Sequence, residues 1–192
     1  MVIASQGCRI ILVSELPAVT PEYFQILVVR ELRKVGFEVG TVRIHRRSEL
    51  PEPEQGFVLE LVVPLGRAGT TWRALVACRS QAGALEREVI ESVKARLPQV
   101  PAAVAMVFAT ADFGSDALAA ARESGVALLR VVDGRSAFDT SGWNNPGHYP
   151  AWLPAYLAQL VDQDVSGQPR ARLLQAGRAD MILDCLWIEA RA

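Results

Sequence analysis

Residues 106–131, MVFATADFGSDALAAARESGVALLRV, decide the fold. The run Ala103 to Ala109 is apolar at every position, the texture of a strand covered on both faces. Ser115 to Ser124 reads as a small Ala-rich helix ahead of Gly125, and Val126 to Val132 is a second buried strand. A strand, a crossover helix and a strand in that order make an α/β unit.

Working back toward the N-terminus, Leu85, Val89, Ile90, Val93 and Leu97 line one face of a helix that Pro98 and Pro101 stop. Phe57 to Val63 and Trp72 to Arg79 are β-rich runs separated by Pro64, Gly66 and Gly69, which predicts an antiparallel hairpin with a modest loop. Thr20, Pro21 and Glu22 supply a helix cap, a first-turn proline and an early acid. The stripe Phe24, Leu27, Val28, Leu32 and Val35 continues that helix to Gly36, and Phe37 to Ile44 follows as a strand. Arg9 to Val13 reads as a further strand or an N-terminal arm.

The texture changes after Asp133. Residues 136–150 are rich in Gly, Asn, Ser and aromatics without either period. Ala151 to Val161 is expected as a helix, residues 162–170 as a polar linker, and 181–188 as helix or strand. The expected organisation is an α/β domain over residues 1–135, with a C-terminal loop and helical extension over 136–192 packing on it.

The chain has 192 residues, enough for a domain that hides roughly 70% of its unfolded surface. A formal net charge of −1 removes any global electrostatic argument for nucleic acid and leaves only local basic patches. Of the 20 basic residues only Lys34 and Lys94 are lysines, so nearly all the cations are guanidiniums that cannot act as bases. Cys8, Cys78 and Cys185 are scattered, which indicates neither a disulfide framework nor a zinc site. No leader-like start and no apolar run of membrane-spanning length is present, which predicts a soluble, cytoplasmic protein without membrane partners.

Four stretches, EYFQILVVRELRKVGFEV (22–39), GFVLELVV (56–63), WRALVACRS (72–80) and the segment quoted first, together resemble the Mrr-type restriction endonucleases of the PD-(D/E)xK superfamily over about residues 20–133. The resemblance implies a restriction-endonuclease-like mixed β-sheet flanked by helices. It also implies a nuclease centre with an Asp at the end of one strand and a Glu or Gln two residues before a Lys on the next. Two such acids hold a divalent ion that activates water, and the ammonium orients the nucleophile. In this sequence Val58 stands at the Asp position, Ala77 at the Glu or Gln position and Arg79 at the Lys position. Both acids are therefore missing and the cation is a guanidinium.

Glu60, on the strand face of Val58, and Glu31, from the helix before, are possible substitutes. Either they rebuild a Mg²⁺ site, or Arg79 neutralises them as an ion pair that fills the metal's place. Arg43, His45, Arg46 and Arg47 form a basic cluster that either holds nucleic-acid phosphates or is a solvated surface. The loop 141–152, SGWNNPGHYPAW, is either a recognition surface or a cap over the sheet. Asp112, Phe113 and Gly114 match the kinase magnesium motif by accident, since no other kinase motif accompanies them. The expected function is a catalytically inactive nuclease-fold module, without cofactor, binding a nucleic acid or protein partner. The alternatives are an active Mg²⁺-dependent endonuclease and a structural subunit of a homodimer or larger homo-oligomer.

Overall fold

The computed structural model describes residues 19–50, 56–140, 148–164 and 166–186. The expected arm at Arg9–Val13 and most of the aromatic loop 141–152 lie outside the described residues. The remaining elements, in chain order, are α1 (Pro21–Lys34), β1 (Glu38–Val39), β2 (Arg43–Glu49), β3 (Phe57–Arg67), β4 (Thr70–Ser80), α2 (Arg87–Arg96), β5 (Val104–Ala109), α3 (Ser115–Ser124), β6 (Val126–Asp133), α4 (Gly134–Thr140), β7 (Tyr156–Gln163), β8 (Pro169–Leu173) and α5 (Asp180–Leu183). No helix among them is long and apolar enough to cross a membrane.

The strands form one mixed eight-stranded sheet in the order β1-β3-β4-β5-β6-β7-β8, with β2 also paired to β3. The β3–β4 hairpin is longer and tighter than the sequence suggests. Its register runs unbroken from Phe57↔Ser80 to Arg67↔Thr70, leaving only Ala68 and Gly69 as the turn. Both have positive φ, at 50° and 80°, as a two-residue turn matched to strand twist requires.

The predicted strand Phe37 to Ile44 is split into β1 and β2. Gly40 N donates to the Pro64 carbonyl, so Pro64 turns its bonding edge toward this side, where its ring nitrogen has no hydrogen to give. A continuous strand would lose a ladder bond there, and the chain breaks its pairing instead.

β4, β5 and β6 run parallel, joined through α2 and α3. Two successive crossovers in one direction with one handedness place both helices on the same face. That face buries Val62, Leu75, Ala77, Val107 and Leu128 against Ile90, Val93, Ala117 and Leu118. The opposite face buries Leu59, Leu61, Val76, Met106 and Leu129 against Phe24, Leu27, Val28 and Leu32 of α1, with Met181 and Ile182 of α5 beside them. The alternation of a strand's side chains thus assigns each β3 residue to one helix layer or the other.

The expected helix at Ala151 to Val161 is corrected. Residues 156–163 form β7, antiparallel to β6, and β8 folds back on it, so the sheet continues past residue 136. The segment YLAQLVDQ has good helix formers, yet Tyr156, Ala158 and Leu160 are buried and the residues between them are not. The open edge of β6 offered a row of unpaired backbone groups, and pairing with it outweighed local propensity. Of residues 181–188, the first three complete the short helix α5.

Candidate functional site

Val58 and Arg79, which stand where the resemblance implies Asp and Lys, face each other. Val58 pairs with Arg79 across β3 and β4, and Glu60 pairs with Ala77. On the outer side of β3, Ser48 of β2 pairs with Val58 and Arg46 pairs with Glu60. Cross-strand partners share a face, so Arg46, Ser48, Val58, Glu60, Ala77 and Arg79 lie together on the α2/α3 face.

Within this patch Glu60 is 2% exposed, and its Oε2 accepts a hydrogen bond from Nη2 of Arg96 at 3.1 Å. Arg96 ends α2 on the flank of the stripe Ile90, Val93 and Leu97, from which a long side chain can run along apolar surface and deliver its charge to the sheet. Its role in the site is not marked by any local sequence pattern. The helical stripe fixes that flank, but only the angle at which α2 crosses the sheet aims it at Glu60. The carboxylate is thus partnered, though by Arg96 and not by Arg79.

The Arg79 guanidinium makes no hydrogen bond or ion pair with any described residue, and its Nε is buried without an acceptor. Burial pulls its guanidinium below its ordinary value, Glu60 acts in the opposite sense, and Arg46 adds to the lowering. Farther along the same row, Ala109 of β5 separates Arg79 from Arg130 of β6. Arg130 is itself engaged, donating to Asp112 and, through Nη2, to Gln159 Oε1 at 2.9 Å. Asp112 is thereby an ion-pair partner, Phe113 is buried, and Gly114 caps α3, which gives the kinase-like triplet a structural role.

Glu31 lies elsewhere. It is 1% exposed on α1, on the opposite face of the sheet, with Oε1 3.0 Å from Nη2 of Arg30 and Oε2 paired to Lys34. Arg30 also donates to the Tyr156 carbonyl, which ties α1 to β7. Glu31 and Glu60 are separated by the sheet and cannot share a ligand.

The basic run on β2 is divided as well. The register skips a residue between Ile44 and Arg46, leaving His45 as the extra residue of a bulge. The bulge puts Arg43, opposite Val62, and Arg46, opposite Glu60, on one face although they are three residues apart. Arg47 falls on the α1 side and donates to Glu22 Oε1 at 2.6 Å. Arg43, His45, Arg46 and Arg47 are all exposed.

A divalent ion does not fit this donor set. The positions where the resemblance implies carboxylates carry an isopropyl and a methyl group, the nearby carboxylate is bonded to a guanidinium, and two more guanidiniums stand beside it. Among the described residues no cluster of three His, Cys, Asp or Glu could hold a metal. Cys78 is fully buried on the α1 side, where burial pushes its thiol well above the ordinary value of 9.0, so it is a packing residue and not a nucleophile.

A family model described as restriction endonuclease, the Mrr catalytic domain, matches residues 16–135. Comparison with curated proteins and with solved structures gives no significant match. The match runs from the approach to α1 through β6 and includes both strands that carry Val58 and Arg79. With its mixed sheet flanked by helices, the chain belongs to the restriction endonuclease family of the Mrr type.

Proposed function

We propose that this chain is a nuclease-fold module that has lost hydrolysis and binds nucleic acid through the guanidiniums of the β2–β4 face. The observation that carries this reading is Arg79, a half-buried cation with no partner among the described residues, set directly across from Val58. A buried charge is stable only when paired. Phosphate oxygens are the complement that a planar guanidinium fork suits best. Arg46 and Arg43 extend the same face to the exposed edge strand, where a backbone can reach them.

Migration of the catalytic acids is the less favoured reading, because Glu31 and Glu60 occupy opposite faces. The test pairs two assays on the same preparation. Gel shifts are expected to show binding that weakens on Arg43→Gln, Arg46→Gln and Arg79→Gln. Plasmid incubated with Mg²⁺ or Mn²⁺ is expected to stay intact, and cleavage abolished by Glu60→Ala would overturn the proposal.

A further inference from the structure

Charge in the patch is unbalanced. Arg46, Arg79 and Arg96 surround one carboxylate, Glu60, so the described residues leave two positive charges uncompensated. Arg96 is committed to Glu60, whereas the Nη groups of Arg79 carry no protein partner among the described residues and stand in a partly desolvated position. Arg79 is flanked by Val58, across on β3, and by Ala77, two residues before it on β4, so no acid repels an incoming anion where the resemblance would place two. Arg46 lies on the exposed edge strand β2, so the patch opens at that edge of the sheet.

An internal phosphodiester fills only part of this arrangement. It carries one charge, and two of its four oxygens are esterified. A phosphate monoester carries close to two charges at pH 7 and presents three strong acceptors. We infer that the Arg46–Arg79 patch is a site for a phosphate monoester, the group found at the 5′ end of a nucleic-acid strand or on a free mononucleotide. Arg79 takes two oxygens through its fork and Arg46 the third. This rests on the nucleic-acid reading above only for the choice between those two sources.

The experiment is a calorimetric titration of the full chain with inorganic phosphate, with a mononucleotide 5′-monophosphate, and with one oligonucleotide carrying either a 5′-phosphate or a 5′-hydroxyl. The 5′-phosphorylated strand is expected to bind about tenfold tighter than its hydroxyl counterpart, the ratio that a charge-assisted hydrogen bond supplies. Arg79→Gln and Arg46→Gln should erase that preference, and Arg178→Gln, on a remote surface ion pair, should leave it intact. Arg79→Lys, which keeps the charge but loses the fork, should retain part of it. Lowering the pH from 7 to 5 protonates the monoester and should weaken the 5′-phosphate complex selectively.

Binding of phosphate and mononucleotide without any oligonucleotide binding supports the site and removes the nucleic-acid reading. Equal affinity for the two oligonucleotides overturns the site and leaves that reading standing. A preference that survives both Arg→Gln changes overturns the site, and binding of none of the four ligands overturns both.

Discussion

Glu31 and Glu60, the two buried carboxylates among the described residues, lie on opposite faces of one sheet, each held by its own arginine. Glu31 belongs to the layer beneath α1 and Glu60 to the layer beneath α2 and α3. Their separation determines what each acid does. Glu31 anchors α1 through Arg30 to the β7 backbone, and Glu60 anchors the end of α2 to β3.

The Glu60–Arg96 pair should therefore carry stability. Glu60→Gln leaves Arg96 without a counter-charge beside Arg79, and the expected loss is about 2 kcal/mol in urea unfolding, at the lower end for a buried pair because Arg96 is partly exposed. Replacing both residues by Leu should recover much of that loss. A double variant as unstable as the sum of the singles would show that the two side chains act independently.

Reinstalling the acids should reinstate metal binding. Val58→Asp with Ala77→Glu places two carboxylates beside Glu60 on one face. Like charges so close destabilise the apo form. Mn²⁺ should then raise its Tm by several degrees, as a ligand of the folded state does, while leaving the parent chain unchanged. An equal shift in the parent would count against the assignment of Val58 and Ala77 to the lost acid positions.

Burial holds the thiols of Cys78 and Cys185 above their ordinary value of 9.0. A group whose folded value is raised contributes stability that is complete below the unfolded value and fades as pH climbs through the folded one. Unfolding free energy should therefore decline above about pH 9. Cys78→Ala should flatten the decline, and Cys78 should react with a thiol reagent only on unfolding, as read by mass spectrometry.

The β7–β8 hairpin has a weak point on the acid side. Burial raises the Asp162 carboxyl, but the hydrogen bond from Arg170 and the charges of Arg172 and Arg170 prevail and hold it below 3.8. A depressed carboxyl stabilises above its unfolded value and loses that contribution as pH falls through the folded one. Amide exchange in residues 169–173 should speed up below pH 4 before the central strands respond, and Asp162→Asn should reproduce this at pH 7. Uniform exchange across the sheet would contradict it.

Much of the fold was legible because its signals are local. The caps and stripe of α1, the two apolar strands around α3 and the β3 and β4 runs each declare themselves within a few residues. β7 was not legible, since Tyr156 to Gln163 has composition suited to a helix and becomes a strand only because the edge of β6 lies beside it. The identities of Val58 and Ala77, where the resemblance implies acids, could be read directly, as residue identity requires no geometry. The partner of Glu60 could not, because Arg96 is 36 residues away and reaches it through the crossing of α2 over β3.

The sequence by itself determined which side chains stand where the resemblance implies two acids and a lysine: a valine, an alanine and an arginine. Tertiary structure alone decided which charges meet. Strand alternation sent Glu60 and Arg79 to one face, and the layer of α1 took Glu31 to the other. A bulge at His45 rotated Arg46 toward Glu60 and Arg47 away from it. Face and register arise from backbone pairing between segments distant in the chain, and no local pattern of residues encodes them.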